Sequence, residues 1–243
     1  MTTKLLTPII TYLLYINLRS LDSNKVITSI SYSFFSIALG FLLAWIIGDF
    51  GAYFPDIISD SMMGWAISKV GEAIPICTTI FFLVIRKGES FNSLGFTGGK
   101  IFTSIGYGLT ASILGIVQYI AMVGVTVPFS ISQLLLWFPW LLLFAFSNSI
   151  LEELIFRGLF LRKYSLIFGK KGALLLISFV FAIFHAVLLP FMGFQMVIVF
   201  MLFLFLQGYV WGYILQKTES IWGSIIAHTI ADILFLLATF SST

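Results

Sequence analysis

Seven apolar stretches, each long enough to cross a membrane as a helix, dominate this sequence. A helix needs about 20 mostly apolar residues to span the hydrocarbon core of a bilayer. The stretches that meet this requirement are residues 27–47, 63–85, 101–127, 131–150 (with an apolar extension to residue 161), 172–190, 194–215 and 221–240. We therefore predict an all-α fold, a polytopic membrane helix bundle with about seven transmembrane helices.

The charge content supports the same fold class. Only 9% of the 243 residues carry a charge, whereas about 25% do so in an ordinary soluble domain. So few charges could not cover the core of a soluble protein with a polar surface, which excludes a cytosolic enzyme. The single cysteine, Cys77, excludes a secreted disulfide scaffold. We expect the lipid bilayer as the partner of this chain. We expect no nucleic-acid partner, because the basic residues of a membrane protein are first of all topology signals.

An apolar segment at residues 5–18 leaves the number of crossings at seven or eight. It has 14 residues and is bounded by Lys4 and Arg19. A segment of this length is typical of an interfacial helix or of the start of a further span. It does not resemble a cleavable signal peptide, because no small-residue cleavage site follows it.

The basic residues predict the orientation of the bundle. If the N-terminus is cytoplasmic, eleven of the thirteen lysines and arginines fall on the inner side of the membrane. The predicted outer loops (48–62, 128–130, 191–193 and the C-terminal tail) carry none, and the first contains Asp49, Asp56 and Asp60. This distribution follows the positive-inside rule, so we predict a cytoplasmic N-terminus. The richness in Phe, Ile and Leu and the small size favour the plasma membrane of a bacterium.

Eight polar side chains remain at membrane depth once the loop residues are set aside. A charged side chain costs about 2.5–3.5 kcal/mol or more at the centre of a membrane helix, so these groups should face one another or a water-filled cavity. They are Lys69 and Glu72 on the second span, Glu152, Glu153 and Arg157 on the fourth, His185 on the fifth, and His228 and Asp232 on the seventh. We expect the lysine and glutamate of the second span to serve packing near the outer interface. For the other six we expect a function.

Helical spacing predicts different roles for these six residues. Glu153 and Arg157 are four residues apart, on one helix face and in the order that favours an ion pair. Glu152 is rotated by about 100° from its neighbour, so its carboxylate remains available for chemistry. His228 and Asp232 are also four residues apart, a spacing at which a carboxylate can orient or charge an imidazole.

Three motifs, in this order along the chain, resemble those of a known family. Residues 151–158 (LEELIFRG) match an EExxxR motif, residues 181–185 (FAIFH) an FxxxH motif and residues 228–232 (HTIAD) an HxxxN or HxxxD motif. These are the motifs of the CAAX-protease and bacteriocin-processing (CPBP, formerly Abi) intramembrane proteases. The resemblance covers residues 130–240, so we divide the chain into N-terminal spans, 1–128, and a catalytic helix core, 129–243.

The resemblance implies a membrane-embedded endopeptidase similar to the type II CAAX prenyl protease. The site residues that it implies are Glu152, Glu153, Arg157, His185, His228 and Asp232. In such a site Glu152 would be the general base that activates a water molecule, and His185 would hold the same water. His228 and Asp232 would stabilise the tetrahedral oxyanion, and the Glu–Arg pair would position the site.

Asp232 departs from the family pattern, because the better-studied members have asparagine there. An ionised aspartate cannot donate a hydrogen bond to an oxyanion. Either Asp232 is protonated, or it keeps His228 as an imidazolium that donates alone. A third alternative is a metal, because Glu152, His185 and His228 are a His₂Glu set of the kind that binds catalytic zinc. Between these, the metal-free site is slightly favoured, with zinc as the alternative cofactor.

Three functions are compatible with these residues. The first is an intramembrane protease whose peptide or membrane-protein substrate enters from the cytoplasmic side, in peptide maturation or bacteriocin self-immunity. The second is a non-catalytic bacteriocin-immunity or scaffold membrane protein. The third is a transporter or proton pathway, although no inverted repeat and no matching pair of interrupted helices is present in the sequence.

Overall fold

The apolar stretches of the sequence form helices throughout the part of the chain that the computed structural model describes, residues 2–21, 25–47, 61–124, 129–187 and 194–240. In chain order these are α1 (Thr2–Leu21), α2 (Val26–Ile47), α3 (Met62–Arg86), α4 (Ile101–Ala111), α5 (Ile113–Val123), α6 (Ile131–Glu153), α7 (Arg162–Val187), α8 (Phe194–Thr218) and α9 (Trp222–Phe240). A 3₁₀ turn at Phe91–Leu94 follows α3, and a π-helical segment, Leu154–Leu161, joins α6 to α7. The predicted all-α, polytopic helix bundle is confirmed. The outer-loop aspartates Asp49, Asp56 and Asp60 lie outside the described residues.

Six helical stretches among the described residues are long and apolar enough to cross a membrane, and the longest of them contains two crossings. This stretch, Ile131–Ala186, has 56 residues, about 84 Å of helix at 1.5 Å per residue. Its backbone breaks at Gly169, which has φ 68° and ψ 168°. On either side of the break the arms are antiparallel, because the rings of Phe156 and Phe181 lie 5.2 Å apart. Apart from α1, the described helices thus contain seven segments of crossing length, as expected from the sequence.

Helix α1 lies antiparallel along α2 rather than across it. The rings of Tyr12 and Phe35 are 5.0 Å apart, and those of Tyr15 and Tyr32 are also 5.0 Å apart. This is the packing expected of a helix that crosses beside α2, the second of the two alternatives for residues 5–18. A crossing α1 would put the N-terminus on the side opposite to the predicted cytoplasmic one, so the orientation of the N-terminus stays a prediction.

The predicted regions 1–128 and 129–243 pack around shared apolar clusters. One cluster joins Ile76 and Ile80 of α3 and Leu94 of the 3₁₀ turn to Leu154 and Leu159 of the π-helical segment. Helix α9 packs against α4, α5 and α6. The N-terminal helices therefore support the elements that carry the predicted site residues.

A glycine-containing loop after α3 is anchored to the turn between α8 and α9. Arg162 donates from Nη1 to the carbonyl of Asn92 at 2.9 Å and from Nη2 to the carbonyl of Glu219 at 3.2 Å. The indole of Trp222 donates to the carbonyl of Phe96 at 2.9 Å. These bonds hold the N-terminal end of α9, which carries two of the predicted site residues.

Single cysteines in a Cys77→Ser background test the orientation. Because α3 crosses the membrane, Ser61→Cys and Ser90→Cys lie on opposite sides, and the positive-inside rule places the second in the cytoplasm. We expect an impermeant maleimide added to intact cells to label Ser61→Cys, and to label Ser90→Cys only after permeabilisation. Thr3→Cys separates the two alternatives for residues 5–18: labelling from outside if α1 crosses beside α2, and labelling only after permeabilisation if the N-terminus is cytoplasmic. Labelling of Ser90→Cys in intact cells would show that the orientation of the bundle is opposite to the predicted one.

Candidate active site

Four of the six predicted site residues line one cavity of about 210 Å³, called here the site cavity. They are Glu152, His185, His228 and Asp232. The other two, Glu153 and Arg157, form an ion pair whose side chains are 0% exposed. Consecutive glutamates on α6 therefore have different environments, as their rotation about the helix axis predicts.

The helix changes its geometry directly after the two glutamates. Helix α6 ends at Glu153, and the π-helical segment Leu154–Leu161 contains Arg157. π-Helical turns are rare and occur frequently at functional sites. The predicted i,i+4 pair is present within this change of geometry, since Arg157 Nη1 donates to Glu153 Oε1 at 2.8 Å.

Glu152 and His185 face each other across the site cavity. Glu152 Oε2 lies 3.3 Å from His185 Nε2, yet this buried oxygen has no hydrogen-bond partner among the described residues. His185 Nδ1 lies 2.9 Å from the carbonyl oxygen of Phe181. A carbonyl can only accept, so Nδ1 carries the proton and Nε2 of the neutral ring is an acceptor. Two acceptors that face each other at this distance can both be satisfied by the two hydrogens of one water molecule.

Glu153 contacts His228 as well as its predicted partner, Arg157. His228 Nδ1 lies 2.9 Å from the same oxygen, Oε1, that accepts from Arg157. The carboxylate thereby accepts from Nδ1–H and turns Nε2 of His228 toward the site cavity. There Nε2 lies 3.7 Å from Glu152 Oε2 and 3.5 Å from Asp232 Oδ1. The sequence does not reveal the contact between Glu153 and His228, because the two residues lie on helices far apart in the chain.

Aromatic rings enclose the buried guanidinium and fix both imidazoles. The guanidinium carbon of Arg157 lies 4.5 Å from the ring centre of Phe181 and 5.4 Å from that of Trp211. Trp211 stacks on His228 at 4.4 Å with an interplanar angle of 23°, and Phe181 lies 4.4 Å from the ring of His185. Trp211 is thus a buried wall of the site.

Close backbone approach completes the environment of the guanidinium. Arg157 Nη2 donates to the carbonyl of Gly208 on α8 at 3.3 Å. A Cβ atom at Gly208 would lie 3.3 Å from Phe181 and 3.4 Å from Arg157 Nη2, a tight fit for both. Gly208 and Gly212 are four residues apart, a spacing that predicts close helix packing, and the contacts at Gly208 agree with it.

Asn148 is a site residue that the sequence reasoning missed. It is buried on α6, lines the site cavity and donates from Nδ2 to Asp232 Oδ2 at 2.9 Å. One signal was present, because Asn148 lies one helical turn before Glu152 and therefore on the same face of α6. No family motif includes this position.

Three further polar residues, all outside the motifs, reach the site cavity. Gln207 of α8 donates to Gln118 of α5 at 2.7 Å, and both side chains line the cavity. Lys69 also lines the cavity and forms an ion pair with Glu72, with Nζ and Oε2 2.5 Å apart. The pairing agrees with the packing interpretation, but Lys69 is also part of the cavity wall. Lys69 and Gln118 belong to the N-terminal spans.

The metal alternative requires a converging set of ligands. Within the ranges that the structure describes, no group of three or more His, Cys, Asp and Glu side chains is arranged to hold a metal ion. The donor arrangement therefore does not fit a metal site, and we derive no step through a metal.

Comparison with known proteins finds one family match, in the C-terminal part of the chain. Residues 134–234 match the family model described as Type II CAAX prenyl endopeptidase Rce1-like. The match confirms the resemblance seen in the sequence motifs, and it spans all six predicted site residues as well as Asn148. No curated protein and no solved structure matches the chain.

Removing the buried cation should destabilise the fold. Arg157→Met leaves Glu153 buried without its ion-pair partner, which typically costs about 3–5 kcal/mol. We expect a clearly lower Tm in detergent micelles, followed by circular dichroism. Arg86→Met, the same substitution at an exposed position at the end of α3, should change the Tm little. The double variant Glu153→Gln/Arg157→Met should be more stable than Arg157→Met, and equal stability of the two would contradict this account.

Proposed function

We propose that this protein is an intramembrane endopeptidase of the CAAX-protease type, in which Glu152 and His185 activate the attacking water. The observation that carries the proposal is the approach of Glu152 Oε2 to His185 Nε2, 3.3 Å apart in a cavity within the helix bundle. The family match over residues 134–234 supports the same class of reaction.

In the first step, a water molecule donates one hydrogen to Glu152 and the other to His185. This arrangement directs a lone pair of the water oxygen toward the carbonyl carbon of the scissile peptide bond. Glu152 takes one proton as the new carbon–oxygen bond forms, and the carbonyl electron pair moves onto its oxygen. A positioned carboxylate base contributes about 10²–10⁴-fold to a reaction of this kind.

The second step breaks the peptide bond. The tetrahedral oxyanion accepts a hydrogen bond from His228 Nε2–H, and the ring is an imidazolium in this step because its Nδ1–H is also held by Glu153. A prearranged donor of this kind contributes about 2.7–4 kcal/mol to catalysis. When the carbon–nitrogen bond breaks, the proton on Glu152 passes to the leaving nitrogen. The products are a new carboxyl group and a new amine, and Glu152 is again a carboxylate.

The buried pair of Glu153 and Arg157 positions this chemistry and does not take part in proton transfer. Glu153 fixes the ring of His228, and Arg157 compensates the charge of Glu153 in a region of low dielectric constant. Both side chains are separated from the site cavity and fully buried. Their role is therefore to hold the oxyanion donor in place before the substrate arrives.

The substrate that fits this site is a peptide or a membrane protein that enters from the cytoplasmic side. Glu152 lies ten residues before Arg162 in sequence, about 15 Å along a helix, and the positive-inside rule assigns that arginine to the cytoplasm. In a bacterial plasma membrane the reaction would serve peptide maturation or bacteriocin self-immunity. The non-catalytic alternative, an immunity or scaffold protein, requires binding without hydrolysis.

Replacement of the proposed base tests the mechanism. The assay uses purified protein in lipid nanodiscs, a pool of hydrophobic peptides with and without a farnesylated cysteine, and mass spectrometry of the products. Glu152→Gln removes the base while it preserves shape, and we expect cleavage to fall by about 10²–10⁴-fold. Glu219→Gln, the same substitution at an exposed position in the turn between α8 and α9, should cleave like the wild type.

Two results would contradict the mechanism or the function. Normal cleavage by Glu152→Gln would remove the proposed base. The non-catalytic alternative would be favoured by two results together. The wild type would cleave no peptide, and bacteriocin immunity would be retained in each of the variants Glu152→Ala, His185→Ala and His228→Ala.

Metal removal tests the cofactor requirement directly. Because the proposed mechanism uses side chains alone, we expect cleavage to persist after exhaustive dialysis against a chelator, with metal content measured by mass spectrometry. Loss of cleavage that added zinc restores would overturn the metal-free mechanism.

A further inference from the structure

We infer that Asn148 is a catalytic residue that donates a hydrogen bond to the oxyanion, in place of the donor that the Asp232 carboxylate cannot supply. Asp232 then acts as a positioning residue that orients two donors. This inference rests on the proposed endopeptidase function and extends it to a residue outside the family motifs.

Asn148 is placed to reach the reacting atoms. It lies one helical turn before Glu152 on α6, so the two side chains share a helix face, and both line the site cavity. The side chain is only 7% exposed. A nearly buried amide that lines the same cavity as the proposed base is within the volume that a bound peptide bond would occupy.

The bond between Asn148 and Asp232 determines which way the amide points. An ionised carboxylate only accepts hydrogen bonds, so the amide must turn its Nδ2 toward Asp232 Oδ2, as the 2.9 Å contact shows. This nitrogen carries two hydrogens, and the bond to Asp232 uses one of them. No second hydrogen bond of Nδ2 is found among the described residues, so the other hydrogen can be donated to an oxyanion in the site cavity.

The Asp232 carboxylate contacts one donor with each of its oxygens. Oδ2 accepts from Asn148, and Oδ1 lies 3.5 Å from His228 Nε2. The two donors therefore flank one carboxylate, which holds both at the same end of the cavity. The arrangement provides an oxyanion site with an amide and an imidazole donor, although the residue at position 232 is an acid. It also removes the need for a protonated Asp232.

The alternative is that Asn148 only satisfies the buried Asp232. A purely structural amide would affect folding and substrate affinity, whereas an oxyanion donor acts only once the tetrahedral state forms. Loss of such a donor lowers kcat by about 10²–10³-fold and leaves KM largely unchanged. The division of the effect between kcat and KM therefore separates the two roles.

A reciprocal exchange of the two side chains gives the sharpest test. The variants are Asn148→Ala, Asn148→Asp and the exchange Asn148→Asp/Asp232→Asn, with Asn17→Asp on α1 as a control for the same substitution elsewhere. Cleavage of the best peptide of the pool is measured in nanodiscs, with the Tm of each variant. We expect Asn148→Ala and Asn148→Asp each to lower kcat by about 10²–10³-fold with KM within about threefold. The control should retain wild-type kinetics.

The exchange variant decides between an amide donor and a structural amide. It restores one amide and one carboxylate at exchanged positions, so kcat should recover at least about tenfold over Asn148→Asp. A wild-type kcat for Asn148→Ala would overturn this inference and leave the proposed function intact. The same holds if the kcat of the exchange variant is no higher than that of a folded Asn148→Asp variant. If Asn148→Asp does not fold, Asn148→Ala and the exchange variant still decide. Failure of the wild type to cleave any peptide would overturn the proposed function and this inference together.

Discussion

The candidate site depends on the buried Glu153 carboxylate, which binds a cation and an imidazole at once. One of its oxygens accepts from Arg157 and from His228, and the arginine continues to the backbone of Gly208. This single group connects α6, the π-helical segment, α8 and α9. In a membrane such a charge is tolerated only because its partners are within hydrogen-bond distance and aromatic rings enclose the cation.

Two adjacent glutamates lie in different environments because a helix turns by about 100° per residue. Glu153 points into the protein, where Oε1 accepts from Arg157 and His228 while Oε2 has no hydrogen-bond partner among the described residues. Glu152 points into the site cavity, and its Oε2 also lacks such a partner. A carboxylate paired with an arginine would be a poor base, and an uncompensated buried one would destabilise the bundle. The pair separates these requirements between neighbouring positions, and the change to π-helical geometry follows directly.

The site cavity is not built by the family-matched segment alone. Lys69 of α3 and Gln118 of α5 line it, and both lie outside residues 134–234. The matched segment contains the proposed chemistry, including the amide and the imidazole on either side of Asp232. The N-terminal helices supply part of the wall that a substrate would contact.

Local spacing in the sequence predicted much of the bundle. The apolar stretches predicted the crossing helices, and the four-residue spacing predicted the pairing of Glu153 with Arg157, because both follow from the fixed geometry of a single helix. The motif order predicted which charged residues share a site. Only the tertiary structure decided the contacts between helices: Glu153 with His228, Asn148 with Asp232, and Lys69 with the site cavity. These contacts depend on the rotation and axial register of each packed helix, which residue spacing within one helix does not determine.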